Sequence, residues 1–246
     1  MTTTPWPYPR WIAHRGAGRL APENTLAAFR LGANHGYRMF ECDVKLSQDG
    51  VPFLMHDADL RRTTDGSGSG GEQAWQRLSQ LDAGSWHSRR YAGEGLPCLE
   101  NIARFCRHNG HLLNIEIKPT PGTERHTGEV VARHAARLWA NAAIAPLMTS
   151  FDIAALEGAQ ATAPALPRGL LLDKARADWL DTARQLACVA VVCHYSLWDT
   201  DTVAAAHGAG LRCLSYTVND EWIAHRLNTL GTDGIITDRI DLFSPA

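Results

Sequence analysis

The sequence predicts an α/β chain folded as a (β/α)8 TIM barrel with a small insertion after the second strand region. Three observations carry this expectation. Short apolar runs alternate with alanine-rich or amphipathic helical stretches along the chain. Eight such runs can be counted in 246 residues. Strands separated by helices are joined by crossovers and so run parallel, and eight βα units fit this length. A doubly wound open sheet shares the alternation, but no Gly-x-Gly-x-x-Gly opens a helix after the first run, which removes one support for a Rossmann form.

Residues 11–14, Trp-Ile-Ala-His, make the first strand. A helix is expected over 24–35, where Leu26, Ala27, Phe29, Arg30 and Leu31 fall at helical spacing behind Pro22 and Glu23. Residues 38–44 alternate as a second strand. Gln48-Asp49-Gly50 is a hairpin turn signal, and 51–55 returns as a short partner strand. Further strands are expected at 112–117, 147–151, 169–172, 188–193, 212–218 and 234–237. The helices between them are expected at 124–139, 153–162, 177–186, 200–207 and 221–230.

Residues 59–109 break this rhythm. They contain Asp65-Gly-Ser-Gly-Ser-Gly-Gly71, show little strand signal and are too long for an ordinary βα loop. They read as an insertion at one face of the barrel rather than a linker. The expected organisation is therefore one barrel domain over 1–246 with an insertion at about 58–110.

Composition excludes several function classes. Lys plus Arg is 24 and Asp plus Glu is 26, a net charge of −2, so no broad basic surface serves nucleic acid. Hydrophobic residues at 45% and charged residues at 20% exclude wholesale disorder. No apolar run approaches the ~18–20 residues that span a bilayer, and residues 1–10 lack the apolar stretch of a secretory signal. The expectation is a cytoplasmic protein without stable membrane insertion. Six cysteines at 42, 98, 106, 188, 193 and 213 form no Cys-x-x-Cys pair and read as buried, reduced thiols.

TIM-barrel chemistry sits at the C-terminal ends of the strands. There the sequence offers His14-Arg15, Glu41-x-Asp43, His56-Asp57 and Glu116-x-Lys118, with Asn219 after a late strand. Glu41 and Asp43 are two apart on a strand and point to one side, as do Glu116 and Lys118; that side is either solvent, common for alternating acids on strands, or the barrel interior. Three carboxylates facing a crowded interior repel unless neutralised. An all-oxygen set suits a divalent cation, Mg²⁺ or Ca²⁺, better than Zn²⁺. His14 and His56 are candidate proton carriers near neutral pH, and Arg15 and Lys118 candidate phosphate ligands. Asn24 either reaches the site or caps the following helix. Asp57 is read as orienting His56 or a loop. Trp86 and Tyr216 either line a pocket wall or pack.

The ordered set His14-Arg15-Gly16, Pro22-Glu23-Asn24-Thr25, Glu41-x-Asp43, His56-Asp57 and Glu116-Ile117-Lys118 resembles the glycerophosphodiester phosphodiesterase family. Arg62-Thr63-Thr64, Gly84-Ser85-Trp86, Tyr216-Thr217-Val218-Asn219 and 233–238 extend the likeness over the whole chain. The resemblance implies a divalent cation on Glu41, Asp43 and Glu116, acid/base work by His14 and His56, and phosphate binding by Arg15 and Lys118. It implies hydrolysis of a small soluble glycerophosphodiester, such as glycerophosphocholine or glycerophosphoethanolamine, to glycerol 3-phosphate and an alcohol. A phosphodiester lyase releasing a cyclic phosphate, and a lysophospholipase D acting on lysophospholipids, stand as alternatives. Tyr216, where relatives often carry Trp, and His87 after Trp86 depart from the family pattern and bear on the preferred alcohol.

Overall fold

The computed structural model describes residues 6–243 and 245. The remainder of the 1–246 range, including the first half of the segment read as lacking a secretory signal, lies outside the described residues.

Nine strands form one sheet: β1 (Trp11–Ala13), β2 (Met39–Leu46), β3 (Pro52–Leu54), β4 (Leu112–Ile117), β5 (Leu147–Ser150), β6 (Arg168–Leu172), β7 (Ala190–His194), β8 (Arg212–Tyr216) and β9 (Gly234–Thr237). Eight of them run parallel in the order β1-β9-β8-β7-β6-β5-β4-β2, and the Ala13–Phe40 pairing of β1 with β2 closes the barrel. The ninth, β3, pairs antiparallel with β2 as the hairpin signal predicts. Closure excludes the open doubly wound sheet.

Helices α1 (Leu26–Asn34), α3 (Leu99–His108), α4 (Glu124–Leu138), α5 (Ile153–Thr162), α6 (Trp179–Gln185), α7 (Thr200–Gly208) and α8 (Glu221–Leu230) cross between parallel strands. Short α2 (Trp75–Leu78) belongs to the insertion. The sequence reading leaves α3 unassigned. Its buried residues Leu99, Ile102, Ala103 and Cys106 follow the i, i+3, i+4, i+7 rule, but Glu100, Asn101, Arg104 and Arg107 between them dilute the apolar signal. Because α3 packs against α1 and α4, it is an outer helix of the barrel, and the insertion proper ends before it.

The two faces of each strand have different fates. On β2, Phe40, Cys42 and Val44 join the core beneath the helices, and Met39 faces the barrel interior. Strand period then sends Glu41, Asp43 and Lys45 inward with Met39. The interior floor is apolar and filled: Ile12, Met39, Leu147, Leu171, Ala190, Val192, Leu214 and Ile236 cluster there with Tyr8, whose hydroxyl donates to the Ala145 carbonyl at 2.8 Å.

The insertion packs against β3 through a small core in which Leu60, Leu78, Ala83 and Leu96 meet Phe53 and Met55. Its glycine-rich run is packed rather than loose, because a methyl on Gly70 would lie 3.0 Å from the Phe53 ring. All six cysteines are free, five of them buried. Among the described residues no helix is long and apolar enough to cross a membrane.

Helices α4 and α5 touch backbone to backbone. A Cβ on Gly128 would lie 1.9 Å from the Ala155 carbonyl oxygen, and one on Gly158 would lie 2.2 Å from that of Arg125. Overpacking at such a contact costs about 1–3 kcal/mol. Gly128→Ala is expected to lower the urea midpoint accordingly; an unchanged midpoint would show that the two helices can separate freely.

Candidate active site

The cross-strand register assembles the acidic centre. Glu41 lies opposite Asn114 and Asp43 opposite Glu116, so three carboxylates occupy adjacent positions on the inner face of β2 and β4. One oxygen from each lies within 4.8 Å of the others. Glu41 and Asp43 are 2% and 1% exposed. Burial and the nearby Asp43 charge raise the Glu41 and Glu116 pKa values. Burial acts the same way on Asp43, but Arg15, Lys118, His56 and the Asn24 bond outweigh it and hold that carboxyl low.

Two carboxylate oxygens, Glu41 Oε1 and Asp43 Oδ1, are buried without a hydrogen-bond partner. Such atoms are costly, and a cation is the natural partner for an all-oxygen set of this spacing. The residues therefore fit a divalent ion. A second group, His207, Cys213 and Asp233, does not fit one: Asp233 already accepts from His207, from Arg212 and from the Cys213 amide.

The first βα loop is bent around this centre. Arg15 and Asn24 both take positive φ, +50° and +60°, which non-glycine residues adopt only when their surroundings demand it. The Arg15 amide donates to Glu41 Oε2 at 3.1 Å, and the Asn24 amide to the Arg15 carbonyl at 2.9 Å. Asn24 then grips Asp43 twice: Nδ2 donates to Oδ2 at 2.8 Å and Oδ1 accepts the Asp43 amide at 3.2 Å. The helix cap is Thr25, which accepts from Ala28. Asn24 thus lies against the acidic centre, and Thr25 takes the capping position that was the other reading of Asn24.

Two cations flank the acids. Arg15 Nε lies 3.1 Å from Asp43 Oδ2, and its Nη1 donates to Glu23 at 2.8 Å. Lys118 Nζ donates to Glu116 at 3.0 Å and lies 3.7 Å from Asp43. Burial lowers the Lys118 pKa, but the two carboxylates outweigh it and raise it, so the charge is kept.

Each histidine is held by its Nδ1. His14 Nδ1 is 2.6 Å from Asp238 Oδ1, and its Nε2 is 3.7 Å from Glu41. His56 Nδ1 is 2.7 Å from Asp57 Oδ1. Burial lowers both pKa values. For His14 the Asp238 bond and the Glu41 charge outweigh burial and raise it. For His56 burial prevails, helped by Arg15 and Lys118. Two imidazoles driven in opposite directions suit paired acid and base roles.

One cavity is lined by His14, Arg15, Glu41, His56, Glu116, Lys118 and Tyr216, with Asn114, Phe151, Leu171, Thr217 and Ile236. Tyr216 is thus a wall residue, its hydroxyl donating to the Leu172 carbonyl at 2.9 Å and its ring edge-on to Phe151. Trp86 is not among the lining residues; it is 40% exposed and donates to the Ala83 carbonyl in the insertion.

Several residues escape the sequence reading. Asp238 follows β9 directly, a titratable residue at a strand end like His14 after β1 and Lys118 after β4. Asn219 supports it, donating to Oδ2 at 2.8 Å and accepting its amide at 2.9 Å. Phe151 follows β5 and carries no chemical signal. Lys45, 4% exposed and two residues past Asp43, brings a third cation to the inner face of β2.

Residues 14–242 match the Glycerophosphoryl diester phosphodiesterase family. A glycerophosphodiester phosphodiesterase of Caldanaerobacter subterraneus is 29% identical over 92% of this chain and 93% of its own. An Oleispira antarctica phosphodiesterase, solved in complex with the product sn-glycerol-3-phosphate, is 35% identical with a TM-score of 0.87, covering 94% of this chain and 93% of that one. An Agrobacterium tumefaciens glycerophosphodiester phosphodiesterase is 27% identical with a TM-score of 0.79, covering 97% and 100%.

Since Asp238 raises the His14 pKa, Asp238→Asn is expected to move the His14 ring titration, followed by NMR, to lower pH. A midpoint that stays put would remove Asp238 as the partner that sets His14.

Proposed function

This chain belongs to the glycerophosphoryl diester phosphodiesterase family, and from that premise we propose that it hydrolyses glycerophosphodiesters to glycerol 3-phosphate and an alcohol with the help of a divalent cation. The observation that supports this most directly is a cavity lined by two imidazoles, two cations and the carboxylates Glu41 and Glu116, with Asp43 clustered beside them and one oxygen each of Glu41 and Asp43 left without a partner. The product bound to the Oleispira antarctica relative agrees with the proposed chemistry.

Glu41, Asp43 and Glu116 would hold the cation. When bound, Mg²⁺ or Ca²⁺ supplies Lewis-acid polarisation of phosphoryl oxygens. Arg15 and Lys118 bind the phosphate and stabilise the charge that grows on its oxygens, Arg15 through its fork and Lys118 as a point charge. Asn24 fixes the Asp43 carboxylate, so the negative centre does not drift when substrate arrives. Of His14 and His56, one takes a proton from the attacking oxygen, that of water or of the substrate's own 2-hydroxyl, and the other returns a proton to the departing alcohol oxygen; where the hydroxyl attacks, water then opens the cyclic phosphate to glycerol 3-phosphate. Asp238 and Asp57 hold each ring at Nδ1, which leaves Nε2 for this transfer. Tyr216 and Phe151 give the cavity an aromatic wall against which the alcohol sits.

A coupled assay for glycerol 3-phosphate tests the reading, using glycerophosphocholine, glycerophosphoethanolamine and glycerophosphoglycerol with Mg²⁺, Ca²⁺ or EDTA. Release that needs a cation and stops with EDTA is expected. EDTA-insensitive turnover would exclude the cation, and a cyclic phosphate without glycerol 3-phosphate would replace hydrolysis by the lyase reaction.

His14→Ala and His56→Ala are each expected to lower kcat by at least ~10²-fold with cation binding retained. Turnover at the wild-type rate in both would refute the acid/base pair. Glu41→Ala and Glu116→Ala are expected to raise the cation concentration needed for half-activity.

A further inference from the structure

Arg62 lies in the insertion, on the short helical turn Leu60–Arg62, and does not line the cavity. Leu60 anchors that turn in the insertion core, and the Thr64 hydroxyl and amide both donate to the Leu60 carbonyl. The side chain reaches back over the barrel mouth to two carboxylates at once. Nε donates to Asp57 Oδ2 at 2.5 Å and Nη1 to Glu23 Oε2 at 2.8 Å. Nη2 donates to Glu23 Oε1 at 2.8 Å and to Asp57 Oδ1 at 3.0 Å.

Those last two oxygens are the ones already in use by the site. Glu23 Oε1 also accepts from Arg15 Nη1, and Asp57 Oδ1 is the atom bonded to His56 Nδ1. A single nitrogen with two hydrogens therefore bridges the oxygen that holds the phosphate-binding arginine and the oxygen that holds one of the proton carriers. An exposed ion pair by itself contributes little. Here both contacts are two-pronged, and a planar guanidinium fixes direction as well as charge.

We propose that Arg62 is a positioning residue for the reaction: it sets the mutual placement of Arg15 and His56 through Glu23 and Asp57, and so makes the insertion part of the catalytic apparatus. This rests on the phosphodiesterase reading of the cavity. Without Arg62, Glu23 is left to Arg15 alone and Asp57 to His56 alone, and neither carboxylate keeps its present orientation. A misplacement of about 1 Å can cost 10²-fold in rate.

The test compares Arg62→Ala and Arg62→Lys with wild type, each checked for native circular dichroism and thermal midpoint. The expected result is a kcat lowered by about tenfold to a hundredfold in Arg62→Ala, with KM changed far less and the cation requirement unaltered. Arg62→Lys restores charge but not the fork and stays impaired. Guanidinium ion, added below denaturing concentration, partly restores Arg62→Ala and not wild type. Wild-type kcat in Arg62→Ala, full activity in Arg62→Lys, or no response to guanidinium would each overturn the proposal.

A second readout does not depend on turnover. In ¹⁵N-histidine-labelled protein the His56 ring signals are expected to shift in Arg62→Ala while the fold is intact; unchanged signals overturn the positioning role. Were wild type itself inactive on every glycerophosphodiester, the functional reading would fall, and the ring signals would still decide the role of Arg62.

Discussion

The structure is organised around an electrostatic burden: three carboxylates turned into a barrel interior, Glu41 and Asp43 almost wholly shut off from water and Glu116 only partly exposed. Strand period makes this unavoidable once Met39 is placed on the floor, because Glu41 and Asp43 share its parity and Glu116 is brought beside Asp43 by register. Everything nearby answers that charge. Arg15 and Lys118 lie against it, Asn24 grips Asp43, and the Arg15 amide is turned toward Glu41 even though this forces Arg15 into a left-handed conformation. Two oxygens remain without partners after all of this. The deficit that the fold leaves is the opening for a cation.

The histidines are tied to the same problem from further out. Each is anchored at Nδ1 by a carboxylate that itself has a second support: Asp238 by Asn219, Asp57 by Arg62. The two supports, Asn219 and Arg62, lie far apart in the chain, so one ring position depends on the last strands of the barrel and the other on the insertion.

How much of this the sequence displays depends on whether a signal is local. Glu41-x-Asp43 and Glu116-x-Lys118 each show a shared face by their spacing, but not whether that face is the interior or solvent, which only the register with neighbouring strands decides. His14 and His56 were legible only through their strand-end context. Asp238, Glu23 and Arg62 act through partners 224, 8 and 39 residues away, and no period in the sequence records such pairs. Helix α3 was hidden differently: its apolar stripe is intact, but the polar residues between its members and its place after a glycine-rich run drew it into the insertion. Asn24 was ambiguous because Asn is a good helix cap, and the neighbouring Thr25 takes that duty. The strand number of the barrel and its hairpin were plain, since alternation of short apolar runs with helical stretches is a property of the whole chain.

The packed floor beneath the acids has a consequence for traffic. Ile12, Met39, Leu147 and Leu214 are completely buried, and Tyr8 sits below them with its hydroxyl engaged. The barrel is a cup and not a tube. A molecule that reacts at the mouth has one doorway, and the pieces of a cleaved one must queue for it. On the proposed function, the fragment that faces the aromatic rim would have to leave by the same opening as the one beside Arg15 and Lys118, so the two products would share a single exit.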